Sequence, residues 1–107
     1  MAHLTATHDP GVVHVTGQGF VRPDDSSDHH RTMPLSLRVY GNTSIDPNGN
    51  RVYQRQFGEA VEVQPDGQFT RDVAVNDSDL VNPCAVCVYP FEQITEEAKL
   101  AEVALTV

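Results

Sequence analysis

Tryptophan is absent from this chain of 107 residues, only 7% of it is aromatic, and it holds just two cysteines. A core short of rings has to be built from Val, Leu and Ala, and such a core is filled rather than hollow, so a large ligand cavity is not implied. Two cysteines are too few for a disulfide scaffold and too few for a closed zinc site on their own. Positive charge is scarce as well. Seven Lys and Arg stand against fifteen Asp and Glu, a formal charge of −8. With no local Lys/Arg run to offset it, that balance repels phosphate backbones and sets nucleic acid aside as a partner. No stretch nears the roughly 20 apolar residues that cross a bilayer, so no membrane partner is expected. Residues 1–10 have neither the basic head nor the apolar run of a signal peptide, which leaves two readings open, a protein used without export or one in which Met1 has replaced a leader.

What is present organises itself around residues 84–91, Cys-Ala-Val-Cys-Val-Tyr-Pro-Phe, the one run whose alternating positions are apolar on both sides. In an extended strand Ala85, Cys87 and Tyr89 share one face and Val86 and Val88 the other. A strand that needs cover on both faces belongs in the middle of a sheet. The Cys84–Cys87 spacing is a weak signal. Strand residues three apart point to opposite faces with Cα atoms about 10 Å apart, beyond the roughly 7 Å limit of a disulfide. A redox CxxC also belongs at a helix start, and none follows here. Free structural thiols are expected, with a disulfide in a bent loop as the alternative.

In chain order, 3–7 alternates with Leu4 and Ala6 inward, and 12–16 follows with Val13 and Val15 inward and His14 outward as an ordinary sheet-surface residue. Phe20 folds back over the core edge. Residues 21–33 form a long polar loop, and 34–40 is a half-buried strand with Leu35, Leu37 and Val39 inward and Ser36, Arg38 and Tyr40 outward. Asp46-Pro47 and Asn48-Gly49 favour reversal. Residues 51–57 read as an exposed edge strand with Tyr53 and Phe57 on one face and Arg55 between them. Residues 59–63 and 68–75 read as a hairpin around Pro65-Asp66-Gly67, with Val61, Val63, Phe69, Val73 and Val75 inward. Residues 76–83 are a second acidic loop, 92–99 offers one helical turn capped by Thr95, and Ala101, Val103, Leu105 and Val107 mark the last strand.

Seven or eight short strands with turns every 8 to 12 residues, in about 100 residues, are the signature of an antiparallel sandwich with Greek-key connections. The length sets one domain, 1–107, that buries roughly 65% of its unfolded surface. Two segments carry a resemblance: Val12-Val-His-Val-Thr-Gly-Gln-Gly-Phe20 and Pro65-Asp-Gly-Gln-Phe-Thr70 are similar to the VxVxGxGF and DGxF runs of bacterial and phage immunoglobulin-like domains. The chain is also distantly similar to the neocarzinostatin-type apoproteins, which join nearby cysteines late in the chain. The resemblance implies a single immunoglobulin-like β-sandwich.

Among candidate sites, Asp24, Asp25, Asp28, His29 and His30 gather carboxylate and imidazole in one loop, but adjacent histidines in extended chain point apart, so a solvated loop without bound metal is expected. The segment 46–50 fails as a calcium loop, since its Gly stands at the wrong offset and no Glu closes it. The chain has no GxSxG elbow or other recognisable nucleophile–base pattern, so no enzyme activity and no cofactor are expected. Tyr40, Tyr53 and Phe57, with Arg55 among them, offer an aromatic strip for contact with protein or sugar. Together these readings point to a non-enzymatic structural or binding module. The foremost expectation is a phage virion accessory, such as a decoration protein on the outer capsid, with its copies free to associate on the particle. The alternative is a secreted adhesive domain that binds protein or carbohydrate.

Overall fold

The computed structural model describes residues 2–20 and 33–107. In chain order its strands are β1 His3–Asp9, β2 Val12–Gln18, β3 Met33–Gly41, β4 Ser44–Ile45, β5 Arg51–Val52, β6 Arg55–Val63, β7 Phe69–Ala74, β8 Cys84–Pro90 and β9 Ala101–Leu105. There is no α-helix among the described residues; a single 3-10 turn spans Asp77–Asp79. One sheet runs β1-β2-β7, a second β6-β3-β8-β9, and β4 and β5 form a separate short ladder. All pairings are antiparallel.

The two larger sheets face each other across one apolar core. Leu4, Val13, Val15 and Val73 enter it from the first sheet, and Leu35, Leu37, Val39, Val86 and Val88 from the second. The period-2 alternation places them there: cross-strand partners Val13 and Val73, or Val39 and Val86, share a face. Phe20 closes one end, its ring tilted against Phe69 at 5.5 Å between centroids. β8 is flanked on both sides and buried on both faces, as its two apolar registers require.

Several sequence expectations change. The strand expected over 51–57 is two strands. Arg51 and Val52 pair with β4, the chain breaks at Tyr53 and Gln54, and Arg55 starts the long β6 beside β3. Residues 59–63 are the second half of that same strand. The hairpin expected around Pro65-Asp66-Gly67 is instead a crossover between sheets. The turn closes with Gln64 N–H on Gln68 O and Gly67 N–H on Gln64 O, but β7 then pairs with β2 rather than β6. The reason lies at Gly17, opposite Phe69. A Cβ there would sit 2.1 Å from the phenyl ring, so the absent side chain is the space into which Phe69 packs. Val61 and Val63 thus meet the β7 side chains across the core, not beside them. Over 92–99 the chain makes a hydrogen-bonded turn, with Thr95 Oγ1 and O both accepting from Ala98 N–H at 3.1 Å, and no helix grows from it. Val107 lies beyond β9 and is exposed.

Candidate binding surface

β3 was expected to be buried on one side only, yet Ser36 and Tyr40 on its outward face are buried too. The register sets Ser36 beside Tyr89, Arg38 beside Cys87 and Tyr40 beside Ala85. Tyr40, Ala85, Cys87 and Tyr89 form a second, smaller buried cluster on the outer face of the four-stranded sheet, with Ile94 packed against it. The β4–β5 hairpin and residues 91–100 are its cover.

Tyr40, Tyr89, Arg51, Glu96, Lys99 and Glu102 in and around that layer are joined in one connected network, which Arg38 does not enter. Tyr89 OH donates to Glu96 Oε2 at 3.2 Å and shares a 2.9 Å hydrogen bond with Tyr40 OH. The Arg51 guanidinium, 6% exposed, reaches Glu96 through Nε and Nη2 at 3.1 and 3.2 Å, Glu102 at 2.6 Å, and Thr43 Oγ1 at 3.1 Å. It also lies 5.1 Å above the Tyr40 ring, within cation–π range. Lys99 pairs with both Glu96 and Glu102. Burial opposes the charge on Arg51, but the hydrogen bonds to Glu96 and the nearby carboxylates outweigh it and hold the guanidinium above its ordinary value. Burial likewise raises Glu96, and the Arg51 and Lys99 bonds overcome it, so the carboxyl stays below its usual range. Tyr40 and Tyr89 are both pushed up, chiefly by burial.

Tyr53, at the break between β5 and β6, stacks on this layer. Its ring centroid is 4.9 Å from that of Tyr40 at a 42° tilt, and it remains 45% exposed. A groove of about 450 Å³ runs beside it, lined by Arg38, Tyr40, Arg51, Tyr53, Tyr89 and Glu96 among others. A shallower groove of about 250 Å³ continues past Arg38 to Gly58, Phe91 and Glu92.

Of the residues expected to form the aromatic strip, Tyr40 and Tyr53 meet and Phe57 does not. Phe57 pairs with Val39 and packs against the inner core, because the break at 53–54 resets the alternation that had put it beside Tyr53. Arg55 is exposed and reaches Asp79 at 3.3 Å, tying the start of β6 to the second acidic loop. Asp24, Asp25, Asp28, His29 and His30 lie outside the described residues. Arg38 and Arg51 were not singled out by sequence. The available signal was Gly58, a glycine inside an alternating strand, which marks close approach of another group. Here that group is Arg38: a Cβ on Gly58 would stand 1.8 Å from its Nη1.

The cysteines are free, buried, and on opposite faces of β8, Cys84 in the inner core and Cys87 in the outer layer. Burial pushes the Cys87 thiol up to about 11, which leaves little thiolate at neutral pH. On the other sheet, His14 is more than an ordinary surface residue. Its Nδ1 meets Asp72 at 2.7 Å and its Nε2 meets Asp9 at 2.9 Å, bridging β1, β2 and β7. Asp77 accepts from Gly11 N–H and bonds His8, which docks the acidic loop onto the β1–β2 turn. Among the described residues no group of three or more His, Cys, Asp or Glu is arranged to hold a metal ion.

Comparison with known protein families finds no matching model, and neither the curated proteins nor the solved structures yield a match.

Proposed function

We propose that this chain is an immunoglobulin-like Greek-key sandwich that works as a non-enzymatic binding module, and that its partner is the protein shell of a phage, which it decorates from outside. The sheet orders β1-β2-β7 and β6-β3-β8-β9, joined by crossovers after β2, β6 and β7, support the immunoglobulin-like reading. The observation that carries the binding reading is Tyr53. It is a half-exposed ring stacked on buried Tyr40, which the ion-paired Arg51 in turn covers, and so is held in place before any partner arrives. Aromatic groups fixed in this way lose little entropy on contact and are typical anchors of protein interfaces. Ile45 and Val52 on the adjoining hairpin are also half-exposed, on opposite faces of it. The charge of −8 favours a part assembled in host cytoplasm beside nucleic acid that it must not bind.

The groove beside Tyr53 favours a second reading, a secreted domain that takes a sugar or a peptide. Sedimentation with purified empty shells separates the two. Saturable, stoichiometric co-pelleting is expected. A protein that pellets with no shell yet is retained by glycans on an array is the secreted module instead.

A further inference from the structure

We propose that Arg38 is the anchor of this surface and takes a carboxylate, contributed by an acidic side chain of the partner protein that is flanked by apolar residues. Among the described cations, Arg51, Arg55, Arg71 and Lys99 each have a carboxylate partner. Arg38 has none among the described residues. Its Nε is shut off from water and has no acceptor. Buried donors of native proteins are nearly always paired, so Arg38 is under-satisfied; Nε itself is closed off, and an incoming carboxylate would meet the part of the guanidinium that lines the grooves.

The surroundings fit that partner. Arg38 lays its guanidinium over Gly58, in the space a side chain there would fill, and the residue lines both grooves. Glu96 and Glu59, which also line them, are occupied by Arg51 with Lys99 and by Arg71. Glu92 lines the smaller groove without pairing to Arg38. Half-exposed apolar rings stand on either side, Tyr53 in one groove and Phe91 in the other. The ligand chemistry is therefore one negative group between two apolar ones. Its spread across both grooves suits a short stretch of protein chain better than a compact molecule.

The test is a titration of the isotope-labelled protein with a capped Phe-Glu-Phe tripeptide, followed at the Arg38 Nε–Hε resonance and, for every variant, at the backbone amides of Phe91 and Glu92 in the groove. A saturable shift is expected, weakened about tenfold or more when the peptide carries Gln in place of Glu. Arg38→Gln is expected to show the same loss while its amide spectrum stays native, Gly58→Ala to weaken binding by displacing the guanidinium, and His14→Gln, on the opposite sheet, to change affinity less than about twofold. No saturable shift, equal binding of the Gln peptide, or unchanged binding by Arg38→Gln overturns the assignment. Binding of free 3-phenylpropionate as tight as the tripeptide's overturns the protein-chain source. The proposal rests on the reading of a protein-binding module, and the two fail separately. Shells that pellet wild type and Arg38→Gln alike defeat the Arg38 anchor alone. Shells that pellet neither, while the tripeptide binds, defeat the shell reading alone.

Discussion

His14 shows what a single side chain does in a chain this acidic. Hydrogen bonds to Asp72 and then Asp9, with their charges, raise its pKa from the ordinary 6.5. A group whose folded pKa lies above its unfolded value adds stability that is complete below the unfolded value and disappears as pH climbs through the folded one. Wild type is therefore expected to lose urea resistance between pH 6 and pH 9 relative to His14→Gln, whose midpoint lacks that component. Urea melts of both proteins at the two pH values check this, and parallel behaviour would show that the two aspartates do not hold the imidazolium. Asp77 runs the opposite way. The bonds from His8 and Gly11 lower its pKa, so its contribution is present above the ordinary 3.8 and fades as acid protonates it.

At the scale of elements, Arg51 joins parts that the backbone keeps apart. It sits on β5 yet holds Glu96 in the 91–100 segment and Glu102 on β9, and so closes the outer layer over Tyr40 and Tyr89. Arg51→Met keeps most of the apolar stem and removes the charge. A loss of about 2 kcal/mol is expected in denaturant unfolding, less than the roughly 3–5 kcal/mol of a fully orphaned buried ion, because Lys99 stays with both glutamates and Glu102 is a third exposed. A loss under about 0.5 kcal/mol would place the network with ordinary surface pairs. This layer was only half legible in the sequence. The double apolar register of β8 was plain, and it demanded cover on both faces. What supplies the cover was not, since Arg51 and Glu96 are 45 positions apart and neither carries a local signal. The crossover after β6 was hidden for a similar reason: turn chemistry at Pro65-Asp66-Gly67 fixes a reversal, while pairing depended on a ring filling the space above a distant glycine.

For the whole molecule, the layers explain how a small chain with few rings presents a firm surface. One core between the sheets sets the sandwich, and a second, polar-rimmed layer on the outer side of β3 and β8 fixes Tyr53, beside which Arg38 lines two grooves. The opposite sheet carries the His14 bridge and, among the described residues, turns no comparable aromatic group outward. A partner is therefore expected on one face only. Hydrogen exchange of the protein, free and saturating empty phage shells, tests this most directly. The expected result is slowed exchange across 51–58 and 91–96 on the shell, with β1 and β2 unchanged; slowing confined to β1 and β2, or none anywhere, would contradict it.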